Sequence, residues 1–549
     1  MSYYTATDQA NLKILAGKIR NDSKMFTNLI EEDIASKRKQ DMRVGTRYFQ
    51  GQHDYLNHLN YDYIEENKPQ VNTTRANNLV PNPFDRLLKI QKRDNIVGKP
   101  ISVSIAEVDV QDEKKPTSEE LKKIQQASDF QTKLLAELGD KFDDLMSDVV
   151  IGASNAGVEW IHPYIDDKTK FQYVITPAVG IIPFFDMQYQ DQLVSVIRYY
   201  QYQVIDEKTN QLVDRYKVEW WDGAQITYWE QQVDDSWIRD TGYTDNPAPH
   251  WFNINETLET KEPNGWGKPP FVFIPNNSEW SGDLTPIKPL IDAYDKVFSG
   301  LCNDLEDFQE LIYIVKNMMG MSETERQGLS QVSFFLKNIK AKKVAFVEGD
   351  GDVTNLKSEI PTAAIEKFLD ITSKAIYRFG QGVDTEKTDY GNLSGRALQI
   401  LYAGLYSKCD SLIIKMKKAL SEFMWFVVKY INDRDHTNYD YKQVVFTFNR
   451  ASVVNEPEII EGLAQTTWLS RQRMLELDPR VDNVNDELAR QEAEKERDIA
   501  DNRTKMDNVQ DPNDYDAEGN VVSKDYEGER YNNLGELKNN MMNKDGINA

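Results

Sequence analysis

Thr285–Met318 reads TPIKPLIDAYDKVFSGLCNDLEDFQELIYIVKNM. It contains Tyr294, Phe298, Leu301, Leu305, Phe308, Ile312 and Val315. They recur at alternating steps of four and three, the heptad spacing of a helix with one apolar stripe. Pro286 and Pro289 fall at the start, where a helix tolerates proline. Asp292, Asp295, Asp304, Glu306, Asp307 and Glu310 lie off the stripe and give the helix an acidic side. About thirty helical residues would span ~45 Å.

Downstream, residues 319–360 form a compact insert. Strands are expected at Val332–Leu336 and Val344–Val347, with the turn Gly349–Asp352 after the second. Pro361–Phe379 returns as a helix through Ile365, Phe368, Leu369, Ile376 and Phe379. Gly380–Leu393 is polar and broken by Gly380, Gly382 and Gly391. The spacing then predicts a very long helix over Ser394–Ile431, of roughly 57 Å, with Ser394 as its N-cap. Tyr441–Phe448 alternates as a strand, and Glu456–Leu477 and Val484–Arg503 read as helices. Residues 504–549 are rich in Asn and Asp, the composition of a solvated tail.

Upstream, helices are expected over Ala10–Phe49, Asn77–Asn95 and Ser118–Ala153, with a strand at Ile101–Ile105. From Gly157 to Phe273 the period changes to two. Gly157–Ile161, Phe171–Ile175, Leu193–Tyr200, Tyr216–Trp221 and Gln225–Trp229 are separated by turn residues. This is a meander of antiparallel hairpins, not a βαβ pattern. The class is therefore α+β.

With 27 Tyr, 22 Phe and 10 Trp the chain can build a substantial core. Met1–Ala10 has no apolar run, so no secretory leader is expected, and no segment is apolar enough to span a membrane. Cys302 and Cys409 both sit in helical patterns and read as free thiols. The net charge of −24 argues against a tight nucleic-acid binder, which needs a basic face. No phosphate-binding Gly-x-x-x-x-Gly-Lys-[Ser/Thr] and no Gly-x-Ser-x-Gly is present. His53 and His58 have no zinc spacing and read as surface histidines. No catalytic residue, cofactor or metal is expected. A partial calcium-loop pattern, Asp514, Asp516, Glu518 and Asp525, departs at its fifth and twelfth positions and reads better as a turn. Lys337, Lys340, Lys342 and Lys343 make the insert the most basic spot. They suit either a solvated strand edge or a contact surface for DNA or an acidic partner.

Several phrases, taken in order, resemble the portal proteins of tailed bacteriophages, particularly the siphophage type. They are Gly98–Ile101, Pro270–Asn277, Pro289–Asp295, Asn303–Phe308, Gly351–Val353, Phe379–Asp384 and Ser394–Leu398. The likeness runs from about Asn72 to Asn455. It implies a non-enzymatic subunit of a ring, usually of twelve copies, in the virion at the capsid vertex, assembled in the host bacterial cytoplasm. The ring would conduct double-stranded DNA during packaging and ejection. Its further partners would be terminase, a head-completion or adaptor protein and the major capsid protein. In that scheme residues 1–284 and 394–455 are wing, 285–318 and 361–379 are the stem helices, and 319–360 is the clip. Residues 380–393 correspond to the tunnel loop, with Asp384, Glu386, Lys387 and Asp389, and 456–503 to the crown. The tail at 504–549 has no counterpart. The apolar stripe would pack on a neighbouring subunit, and the acidic side would face DNA with little adhesion. The alternative is another ring-forming virion or scaffold protein without a DNA channel.

Overall fold

The computed structural model describes residues 4–6, 24–57, 61–65, 68–71, 76–106, 117–307, 312–316, 352–356, 361–385, 395–449 and parts of 469–497, with short gaps at 187, 190, 207–208, 233–235 and 256–259. The chain divides into two units, Met1–Val453 and Val454–Ala549. In the second, helix is described at Arg471–Leu477, capped by Ser470, whose hydroxyl accepts from the Arg473 amide.

The first unit opens with α1 (Lys24–Ala35) and α2 (Lys37–Phe49). The break between them is Ser36, which caps α2 by accepting from the Lys39 amide. Next come α3 (Phe84–Val97), α4 (Ser118–Leu138) and α5 (Lys141–Ala156). Ser118–Ala153 is thus two helices, not one. Gly139 separates them at φ +61°, a backbone region that L side chains rarely adopt. Thr117 and Glu120 form a reciprocal capping box at the start of α4.

Of the five strands expected over Gly157–Phe273, the last three lie in an antiparallel meander and the first two form part of a separate sheet. Strands β7 (Ile181–Asp186), β8 (Leu193–Asp206), β9 (Gln211–Trp221), β10 (Gln225–Gln231) and β11 (Trp237–Arg239) follow one another in a seven-stranded sheet. Its remaining strands are β1 (Tyr4–Ala6), parallel to β7, and β12 (Ala248–Pro249), on β10. Helices α1 and α2 cover one part of this sheet. The buried Lys39 ammonium of α2 donates to the Ala178 and Ile181 carbonyls at 2.6 and 2.7 Å. It also pairs with Asp33, which accepts from the Tyr199 hydroxyl of β8.

A second sheet orders β15 (Val272–Pro275), β5 (Val158–Ile165) and β6 (Phe171–Thr176). It packs with α4, α5 and the long helix into the largest core, around Phe130, Met146, Trp266, Phe423 and Phe426. Three two-stranded pairs are β2 (Tyr61–Glu65) with β3 (Lys68–Val71), β4 (Ser102–Ile105) with β18 (Val444–Thr447), and β13 (Trp251–Asn255) with β14 (Thr260–Asn264).

Three helices carry the decisive stretch and its return: α6 (Lys288–Asp307), α7 (Thr362–Gly380) and α8 (Gly395–Asp435). Helix α6 stops well short of Met318. Ile312–Lys316 is instead a strand, β16, paired antiparallel with β17 (Asp352–Leu356). The stripe therefore ends on α6, and Ile312 and Val315 lie on the strand opposite Leu356 and Val353. The reason is local. Ile312-Tyr-Ile-Val315 is a run of β-branched and aromatic residues, which favours a pleated surface once a partner strand exists. Among the described residues no helix is long and apolar enough to cross a membrane. Cys302 is half-buried, Cys409 is buried, and neither is in a disulfide.

Candidate channel elements and their anchorage

Helices α6 and α7 pack together, and their shared foot is a small core of Tyr48, Leu88, Leu284, Ile287, Ile291 and Ile376. Tyr294 belongs to its edge. It meets Phe84 edge-on at 4.9 Å and stacks with Phe298 at 6.2 Å, while Phe84 also meets Tyr377 of α7. Further along the stripe burial fades. Phe298 and Leu301 are half-buried and Leu305 is 55% exposed. Phe308 lies outside the described residues.

The acidic side of α6 is not free to face a channel along its whole length. Asp295 is fully buried; one oxygen accepts from the Asn82 amide at 2.8 Å and its side chain at 2.9 Å, and the other lies 2.5 Å from His53 Nδ1. Ser299 accepts from the Val80 amide at 3.0 Å, and Asn303 from the Asn78 amide at 2.5 Å. Alternate amides of the segment 78–82 thus donate to every fourth residue of α6. The fit is metrical: two extended residues advance ~6.6 Å, and four helical residues ~6 Å. Asp292 accepts from the Tyr48 hydroxyl and pairs with Lys288, and Glu306 accepts from the Asn78 side chain at 2.7 Å. Among the described acidic residues off the stripe, Asp304 keeps an exposed side chain with no such tie. His53 is likewise not a surface histidine. It is 1% exposed and stacks on Tyr48 with ring centroids 4.5 Å apart. His58 lies outside the described residues.

The segment after α7 begins in a fixed place. Gln381 caps α7 in the left-handed region, at φ +55°. The Gln91 side chain then grips the Val383 backbone from both sides: its amide donates to the Val383 carbonyl at 2.7 Å and its oxygen accepts from the Val383 amide at 3.0 Å. A Cβ on Gly382 would lie 2.0 Å from Leu88 Cδ2, and one on Gly380 would lie 2.6 Å from Leu88 Cδ1. These two glycines admit a close approach of the Leu88 side chain to the backbone. Asp384 lines a groove with Asn82, Phe84, Tyr294, Leu369 and Tyr377. Glu386, Lys387 and Asp389 lie outside the described residues, as do Lys337, Lys340, Lys342 and Lys343 of the insert and Asp514, Asp516, Glu518 and Asp525 of the tail.

Beneath the helix pair lies a buried ionic cluster that the sequence did not disclose. Asp283, five residues before α6, pairs with Lys92 at 3.0 Å and with Lys408 of α8 at 3.2 Å. Asn276 donates to its other oxygen at 2.8 Å. Burial alone would raise the Asp283 carboxyl, but Lys408 and Lys92 hold it well below the usual carboxylate range. Lys89 pairs with Asp85 at 2.6 Å, and desolvation lowers the lysine and raises the aspartate. Lys92 and Asp283 are 191 residues apart in sequence, too far for any spacing rule to join them. The Asp295-x-x-x-Ser299-x-x-x-Asn303 spacing, by contrast, was available as a polar row on one helix face.

Residues 30–501 match the family model described as phage portal protein, SPP1 Gp6-like. The chain belongs to this family of phage portal proteins. The portal protein of Bacillus phage SPP1 is 28% identical over 500 residues, covering 89% of this chain and 90% of its own. The portal protein of Clostridium phage phiCD119 is 26% identical over 456 residues, covering 78% and 86%. The solved neck of a native GTA particle, computed with C12 symmetry, is 9% identical, covers 72% of this chain and 90% of its own, and has a TM-score of 0.36. That last likeness is too low to bear on the fold. The portal family decides against a scaffold without a channel role. The role is that of a portal protein at the capsid vertex, and hence of a virion component.

Proposed function

We propose that the chain is a non-enzymatic subunit of a closed ring, of twelve copies as the portal likeness implies, in which α6 and α7 stand beside the channel. The observation that carries this is apolar surface on the outer sides of the helix pair. Phe368, Ile371 and Phe379 of α7 are 40%, 55% and 58% exposed, and Leu305 of α6 is 55% exposed. Thr372 and Ile376, on the adjoining side of α7, are buried. A helix that is apolar on two sides is a helix with neighbours on two sides. A head-to-tail contact that closes on itself gives a ring. Double-stranded DNA would pass through it in packaging and ejection, with weak contacts from the residues after Gly380. The insert at 319–360 would dock terminase and then the head-completion protein. The wing would face the major capsid protein, and the subunits would assemble in the host cytoplasm. Replacing Leu305 and Ile371 together by Asp tests the ring. Negative-stain images and light scattering should show folded subunits without rings. Normal rings from that variant would remove these faces from the subunit contact.

A further inference from the structure

The buried cluster beneath the helix pair holds three lysines, Lys89, Lys92 and Lys408, and two carboxylates, Asp85 and Asp283. Charge balance needs only two of the three. Lys89 is matched by Asp85, and Lys92 by Asp283, with Asn276 bonded to both members of the second pair. Lys408 is the surplus cation, and its side chain is only 12% exposed. Desolvating an ammonium is unfavourable, so an extra one in such a place calls for a reason beyond neutrality. Its contacts supply one. Its ammonium pairs with Asp283 at the foot of α6 and donates to the Gly380 carbonyl, the last residue of α7, at 3.0 Å. One side chain from α8 thus holds the ends of both helices of the pair. A cation is also well placed against the carbonyls of a helix C-terminus.

We infer that Lys408 is a positioning residue. It sets the angle of the α6–α7 pair on the long helix and fixes where the segment after Gly380 begins, and the fold does not need its charge. The functional part of this rests on the proposal that α6 and α7 stand beside the channel. Because Lys92 and Asn276 remain on Asp283, Lys408→Met should leave a balanced cluster and a folded ring. Asp283→Asn should instead leave Lys92 and Lys408 without their carboxylate and unfold at a much lower temperature.

The experiment compares both variants, and Lys408→Arg, as assembled rings. In Lys408→Met the melting temperature should move by less than about 3 °C. Amide exchange over Gln381–Val383 and Leu284–Ile287 should rise roughly tenfold, with the rest of the chain unchanged. Lys408→Arg, which keeps the charge, should restore protection at both ends. If Lys408→Met melts as low as Asp283→Asn, or if exchange at the two helix ends is unchanged, the inference fails. DNA packaging is the separate arm. Loosened rings should package less than wild type, and full packaging by such rings would overturn the functional part while leaving the ring proposal intact.

Discussion

Glu159 on β5 is 7% exposed, and its carboxyl accepts from the Trp160 amide at 3.2 Å. Gly152 of α5 makes room for it; a Cβ there would come within 1.9 Å of the carboxylate oxygen. Burial pushes this carboxyl up to about 8, so the native state holds a proton that the unfolded chain gives up above the ordinary glutamate value of 4.5. The favourable contribution is complete below 4.5 and is lost as pH rises through 8. Glu159→Gln should flatten that loss and melt several degrees higher than wild type above pH ~8, by a few kcal/mol at most. Thermal unfolding from pH 5 to 9 checks it, and parallel curves for the two proteins would refute it. At this scale the sequence was least legible. Glu159 looks like the outward member of an alternating strand, and only the helix lying across that face makes it an interior group. His53 was misjudged for the same reason: its partner, Asp295, is 242 residues away.

Element boundaries were legible where a local signal sets them. Strands β8, β9 and β10, the return helix α7 and the long helix α8 follow from periodicity and from turn and cap residues. The run at Ile312–Lys316 was misread because a four-three spacing can be continued through any apolar residues, including those of a strand, and only the pairing with Asp352–Leu356 decides. The side chain–amide ladder on α6 was missed because spacing says where a polar row lies and not what it binds. It has a measurable weight. Ser299→Ala with Asn303→Ala should leave the Val80 and Asn78 amides without acceptors and cost about 1–3 kcal/mol for each that stays dry. Exchange at those two amides should quicken while Asn82, still held by Asp295, stays slow. Uniform exchange across 78–82 would show that the ladder does not hold the segment.

At the scale of the whole molecule, the order of elements was informative where single motifs were not. The linked phrases from Pro270 to Leu398 pointed to the family that the match over residues 30–501 establishes. The lysine cluster of the insert gives a test at this level. Reversing Lys337, Lys340, Lys342 and Lys343 to Glu should preserve the ring and abolish adaptor binding in a pull-down. Binding that survived the reversal would take the cluster out of that interface.

The ladder between α6 and the segment 78–82 also behaves as a key in a toothed rack. Its acceptors at Asp295, Ser299 and Asn303 repeat at one-turn intervals. A slide of half a turn along the helix would miss every tooth. A slide of four residues, ~6 Å and slightly more than one turn, would set Asn82 on Ser299 and Val80 on Asn303, so two of the three bonds could form again. The helix is therefore resistant to small axial creep under load, and any travel it makes against this segment is quantised in turns.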